Sequence, residues 1–221
     1  ATTEIYTLSL HDALPILAWR KSQYNLCHGA PAPPKNSSLR TIGGKHTGVG
    51  FLSSFPCRSI PNEWSPEDFQ TGRCLAAAAY VQSRWINLGT VYGYSENRQA
   101  VQVQQNTGRL LEGLTKRIVD GATGLRMISG DWNLPREQIP QADYWEAKGW
   151  MEAQQLAAIK WNRPAQATCK RTTVRDYVYL SPEVIPYVID VQLDWSYFTD
   201  HAVIQVHLSD LAKPPKVPMW R

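Results

Sequence analysis

Leu125-Arg126-Met127-Ile128-Ser129-Gly130-Asp131-Trp132-Asn133 sets an apolar, strand-forming run directly against a carboxylate and a carboxamide. Such a run reads as a buried strand that delivers polar groups at a sheet edge. Upstream, Glu96 to Asp120 carries Val103, Thr107, Leu110, Leu111, Leu114 and Ile118 at spacings of three and four, which predicts a helix with Ser95 as its N-cap and Gly121 to Gly124 as its stop. Before that helix, Trp85 to Tyr92 is β-type and ends at Tyr92-Gly93-Tyr94-Ser95. Strand, helix, strand in this order predicts an α/β fold.

The flanking sequence extends this pattern. Arg73 to Val81 and Trp85 to Tyr92 are separated by Gln82-Ser83-Arg84, short enough for a hairpin. Gly43 to Ser53 reads as a turn leading into a strand, and order is expected to begin near Gly43; Pro56 to Phe69 reads as a loop. Downstream, helices are expected over Gln141 to Gly149 and Met151 to Ile159. Strands are expected over Ala167 to Thr172, Tyr177 to Leu180, Val188 to Leu193 and Ala202 to Leu208. Lys213-Pro214-Pro215-Lys216-Val217-Pro218 is an extended, Pro-rich tail. There is no internal repeat.

A chain of 221 residues, 43% hydrophobic, is long enough for one well-buried core. The net charge of +4 is spread along the chain, which permits a polyanionic substrate without requiring one. Cys27, Cys57, Cys74 and Cys169 lie far apart with no CxxC pair, so neither a zinc site nor a disulfide framework is indicated and free thiols in a reducing, intracellular compartment are expected. No apolar run reaches the roughly 18 to 20 residues that span a bilayer, so no membrane association is expected.

Several side chains at strand ends are chemically competent. Asp131 and Asn133 would share a side of an extended backbone and could hold and deprotonate a water, although Gly-Asp-x-Asn is equally good turn chemistry. His201, beside Asp200 in Phe198-Thr199-Asp200-His201-Ala202-Val203, needs an orienting carboxylate, for which Asp176 in Val174-Arg175-Asp176-Tyr177-Val178 is a candidate. Tyr92 could add a phenolic hydrogen bond, or simply pack.

Taken in order, these segments resemble the endonuclease/exonuclease/phosphatase superfamily with the DNase I-like fold, which includes abasic-site endonucleases and the endonuclease domains of non-long-terminal-repeat retrotransposons. The resemblance runs from Gly43 to Leu208 through Gly48-Val49-Gly50-Phe51-Leu52, Val91-Tyr92, Gly130 to Asn133, Arg175-Asp176-Tyr177 with its Arg shifted by one, and Thr199-Asp200-His201 with Thr for Ser. It implies a four-layer α-β-β-α sandwich and Mg²⁺-dependent (or Mn²⁺-dependent) phosphodiester hydrolysis, most directly of DNA. By the same resemblance Asp131 would activate the water, Asn133 would position it and the phosphate, and His201 would stabilise charge on phosphorus. Asp176 would orient His201, Asp200 would sit near the metal, and Tyr92 would contact the phosphate.

The family also uses an Asn on its first strand and a Glu, commonly after Gln, on its second. Neither motif is visible before Gly43: Glu4 lacks the Gln, and Asn25 lacks strand context. Thr7-Leu8-Ser9-Leu10-His11-Asp12-Ala13-Leu14-Pro15-Ile16 looks like a translated sequencing adapter and lacks the basic region and cleavage site of a signal peptide. Residues 1–16 are therefore expected to be an artefactual leader, residues 17–208 a truncated domain of this family, and residues 209–221 a tail or linker. Loss of an anionic ligand would slow or abolish turnover, because Mg²⁺ supplies transition-state charge stabilisation. Two further expectations stay open: the same fold acting on a phosphoinositide or other phosphate ester, and a non-catalytic remnant binding nucleic acid or protein. Trp132, Trp145, Trp150, Trp161, Trp195 and Trp220 would be the stacking surface of that remnant.

Overall fold

The computed structural model describes residues 6–9, 25–29, 49–53, 55–60, 72–95, 100–196 and 200–213. Strands β1 (Tyr6–Ser9), β2 (Asn25–Gly29) and β3 (Val49–Ser53) form an antiparallel sheet in the order β1-β3-β2. Ordered strands thus precede Gly43, and Asn25, which the sequence leaves without strand context, opens β2. A six-stranded sheet follows, built from β4 (Cys57–Ser59), β5 (Cys74–Val81), β6 (Arg84–Tyr92), β7 (Leu125–Asp131), β8 (Met151–Glu152) and β9 (Asp176–Leu180), in the order β4-β5-β6-β7-β9-β8. A third pair, β10 (Val188–Asp194) with β11 (Val203–Leu208), is antiparallel.

Within the six-stranded sheet β6 and β7 run parallel. Parallel neighbours need a crossover, supplied by helix α1 (Ala100–Leu114), whose Val103, Thr107, Leu110, Leu111 and Leu114 are buried. Residues 96–99, and with them the capping expected of Ser95, lie outside the described residues. The helical stretch ends differently from the uniform helix that its periodicity predicts. Thr115–Asp120 widens into a π-helical turn, where the Thr115 hydroxyl donates to the Leu111 carbonyl at 2.8 Å and accepts from Trp145 Nε1 at 2.8 Å.

Alternation in the strands separates two cores. Leu75, Ala77, Ala79 and Val81 of β5, with Val178 and Leu180 of β9, face β3, β10, β11 and helix α3 (Ala153–Trp161). Cys74 and Ala76 of β5, with Tyr177 and Tyr179 of β9, face α1 and helix α2 (Pro140–Ala147). The architecture is mixed α/β: a helical layer, the six-stranded sheet and a second layer of strands. Trp132, Trp145 and Trp150 are buried in the helix-side core, Trp132 edge-on to Trp145 at 5.6 Å and stacked on Tyr179 at 5.5 Å. Those three tryptophans are therefore not available as stacking surface.

Three local expectations are corrected. Part of the expected loop from Pro56 is the short edge strand β4, paired with Ala77, Ala78 and Ala79. Ala167 to Thr172 is not a strand: Lys170 and Arg171 adopt left-handed backbone angles and the Thr172 amide donates to the Cys169 carbonyl, closing a tight turn. Cys57 is disulfide-bonded, against the expectation of free thiols, whereas Cys169 keeps its thiol. Among the described residues no helix is long and apolar enough to cross a membrane.

Candidate active site

Sheet register builds the site. Tyr92, the last residue of β6, pairs with Asp131, the last of β7, and Asp131 pairs with Asp176, the first of β9. The three form one row across neighbouring strands, and residues paired in a row point to the same face. That face is the one toward the second strand layer, as the placing of Tyr92 and Val178 in its core shows. Gly130, at φ +147°, makes the turn into the row possible, since a Cβ there would collide with the Val91 carbonyl oxygen.

Strand geometry stops at Asp131. Asn133 takes a left-handed conformation (φ 55°), its amide donates to Asp131 Oδ1 at 3.0 Å, and its Nδ2 lies 3.3 Å from Asp131 Oδ2 and 3.2 Å from the Gly93 carbonyl. The turn reading of Gly-Asp-x-Asn holds: an Asx-turn places Asn133 against the carboxylate. Asp131 is only 7% exposed, and burial, reinforced by the nearby Asp176 charge, pushes its carboxyl up to about 7. Burial also raises the Tyr92 hydroxyl to about 12, with help from Asp131. The Arg73 guanidinium lies 4.8 Å over the Tyr92 ring and donates to the Gly93 carbonyl at 2.9 Å, tying the end of β6 in place.

His201 stands outside the sheet, just before β11, and reaches the row through Asp176. Its Nδ1 is 2.9 Å and 3.2 Å from the two Asp176 oxygens. The hydrogen bond to Asp176 holds its imidazolium up at about 9, against the opposing effect of burial. On its other side Nε2 lies 3.4 Å from Cys169 Sγ. Burial and the charges of Asp176 and Asp131 raise the Cys169 thiol, so it stays protonated beside the ring. Asp200 is exposed, and its backbone carbonyl accepts from the Lys170 amide at 2.6 Å. Its carboxylate adds to the field raising His201. Phe198 and Thr199 lie outside the described residues.

Tyr92, Asp131, Asn133, Asp176 and His201 thus come together, and Asp200 sits at their rim. Asp131, Asp176 and His201 offer ligand atoms all within 4.8 Å of one another, a spacing that could hold a cation. Two residues that the sequence reading passes over help to assemble the group. Thr168, fully buried, accepts at Oγ1 from the amides of both Arg175 and Asp176 at 3.0 Å, and its carbonyl takes the Ala202 amide at 2.8 Å. It therefore fixes the start of β9 relative to His201, as the Cys169–His201 bridge does on its neighbour. Their only sequence signal is a small polar pair inside the stretch expected to be a strand.

No protein-family model and no curated protein matches the sequence. Solved structures do match in shape. The 3′ phosphatase NExo from Neisseria, bound to a product DNA hairpin, superposes with a TM-score of 0.61 at 13% identity, covering 93% of this chain and 99% of that one. The AP endonuclease LMAP from Leishmania major gives 0.60 at 12% identity, covering 92% and 78%. The endonuclease domain of TRAS1, a telomere-specific non-LTR retrotransposon, gives 0.60 at 10% identity, covering 96% and 100%. Together with the sheet order and the two-core packing, these matches show that the chain has the DNase I-like fold.

Proposed function

We propose that this chain hydrolyses phosphodiester bonds in DNA. The observation that carries the reading is the row Tyr92–Asp131–Asp176 capped by His201: a buried base of raised pKa, a cationic donor and a phenol on one face. In this reading Asp131 takes a proton from the attacking water while Asn133 positions that water and the phosphate. His201, held at Nδ1 by Asp176, donates its Nε2 proton to a phosphoryl oxygen and stabilises the charge that develops there. The Cys169 sulfur now facing Nε2 is a weak acceptor that a phosphoryl oxygen displaces. Tyr92 contributes its hydroxyl to the phosphate.

The donor chemistry fits a hard dication. The Asp200 carboxylate, at the rim, would be the residue that holds Mg²⁺ or Mn²⁺, and a bound dication would supply neutralisation of phosphoryl charge. DNA as substrate is supported by the structures of similar shape, one of which holds a DNA hairpin product. Nicking of supercoiled plasmid, abolished by His201→Ala and by Asp131→Asn in chains that remain folded, tests the proposal. Nicking that survives both substitutions would refute it.

A further inference from the structure

Cys169 touches His201, yet the proposed hydrolysis gives its sulfur no task. Sγ lies 3.4 Å from His201 Nε2. The same separation is the edge of a tetrahedral metal site: bonds of about 2.3 Å to sulfur and about 2.0 Å to imidazole nitrogen, opened to the tetrahedral angle, set the two ligand atoms roughly 3.5 Å apart. Both side chains are placed before any ion arrives. Cys169 and His201 pair as an antiparallel bridge, the Lys170 amide donates to the Asp200 carbonyl at 2.6 Å, and the Ala202 amide donates to the Thr168 carbonyl at 2.8 Å. With the backbone fixed on both sides, closing a chelate there costs little chain entropy. Behind the ring, Asp176 accepts from Nδ1 at 2.9 Å. That contact fixes the tautomer in which Nε2 is the ligand and raises its basicity, as carboxylates do behind metal-bound histidines.

The surroundings suit a cation and leave it room. Asp131 and Asp176 set negative charge close to the sulfur. The His201 side chain is 27% exposed and Cys169 is half-buried, so water can complete the coordination. A sulfur and an imidazole nitrogen favour zinc over magnesium, whereas a carboxylate such as Asp200 favours the hard ion. We propose that Cys169 Sγ and His201 Nε2 form a second, thiophilic metal site that takes Zn²⁺, and that Zn²⁺ held there switches hydrolysis off. Ligation displaces two protons, one from the thiol and one from Nε2. It thereby removes the donor that a phosphoryl oxygen would use. Binding of Zn²⁺ stands on the geometry alone, and the switch rests on the reading of the chain as a hydrolase.

The test is titration of the full chain with Co²⁺, a spectroscopic stand-in for Zn²⁺, followed by displacement with Zn²⁺, a readout that needs no turnover. A thiolate-to-metal charge-transfer band is expected, lost as Zn²⁺ replaces Co²⁺. Cys169→Ser removes the sulfur and is expected to abolish the band; buried Cys74 is present in both chains, so a band that survives belongs elsewhere. His201→Ala is expected to weaken Co²⁺ binding by about tenfold or more. In plasmid nicking with Mg²⁺, added Zn²⁺ is expected to inhibit the unmodified chain, and Cys169→Ser to need about tenfold more Zn²⁺ for the same fractional loss. Should the variants not fold, the His201 ring of the unmodified chain decides, because Zn²⁺ must shift its Nε2 resonance in NMR. No charge-transfer band, a band unchanged in folded Cys169→Ser, or an unmoved His201 ring overturns the metal site, and equal inhibition of both chains overturns the switch. A band that behaves as expected in a chain that does not nick plasmid leaves the metal site standing and removes the hydrolase reading, and the switch with it.

Discussion

Replacing Asp176 with Asn keeps the shape at His201 Nδ1 and removes the charge that sets its protonation. Asp176 is the largest cause of the shift of His201 from 6.5 to about 9. At ~1.4 kcal/mol per unit, that shift corresponds to roughly 3 kcal/mol as an upper bound, because Asp131 and Asp200 contribute part of it. The sign follows from the raised folded value: the ion pair stabilises the fold fully below the unfolded value near 6.5, and the contribution is lost as pH rises through about 9. The assay is titration of the His201 ring by NMR in EDTA, with denaturant melts at several pH values. The unmodified chain is expected to titrate near 9 and Asp176→Asn about two units lower. At pH 7.5 only about a quarter of the variant's imidazole would then carry the proton. The stability gap between the two chains is expected to be widest below pH 6.5 and to close by pH 9 to 10. An unmodified His201 that titrates near its ordinary value, or one that Asp176→Asn leaves unmoved, would refute the reasoning.

Other outcomes are equally concrete. If Asp131 is the base and His201 the donor, kcat/KM of the unmodified chain should be bell-shaped, rising through about 7 and falling through about 9; a flat profile would contradict the assignment. Burial holds the Glu152 carboxyl at about 7 against an ordinary 4.5, so its contribution to stability is full below 4.5 and is lost as pH rises through 7. Glu152→Gln should therefore flatten the fall in stability between those pH values, and an unchanged slope in denaturant melts would sink the point. Gly93→Ala drives a methyl into the Trp132 carbonyl and should cost roughly 3 kcal/mol or more, read as a lowered Tm; a neutral result would mean that the β6–β7 ends are not packed as described.

How much of this is visible in the chain differs from residue to residue. The short Ala-rich apolar run Cys74–Val81 and the period of three to four from Val103 to Ile118 are local signals, and both elements form where they place them. The side-by-side placing of Tyr92, Asp131 and Asp176 follows from register across three strands, one of them reached by a crossover, which no local window encodes. Ala167 to Thr172 looks β-like, but its backbone groups are taken by a turn and by the His201 segment, so tertiary partners override propensity there. The Cys57 disulfide is a matter of spatial proximity that wide spacing in sequence conceals.

The most direct measurement is nicking of supercoiled plasmid by the purified chain in Mg²⁺ and in Mn²⁺, with His201→Ala as the paired control and circular dichroism to show that both are folded. The expected result is metal-dependent nicking, slow because the family's second-strand Glu is not matched in β2, and absent in His201→Ala. A folded chain that nicks with neither metal, or one whose nicking survives His201→Ala, would contradict the proposal that the row of Tyr92, Asp131 and Asp176 with His201 is a working phosphodiesterase site.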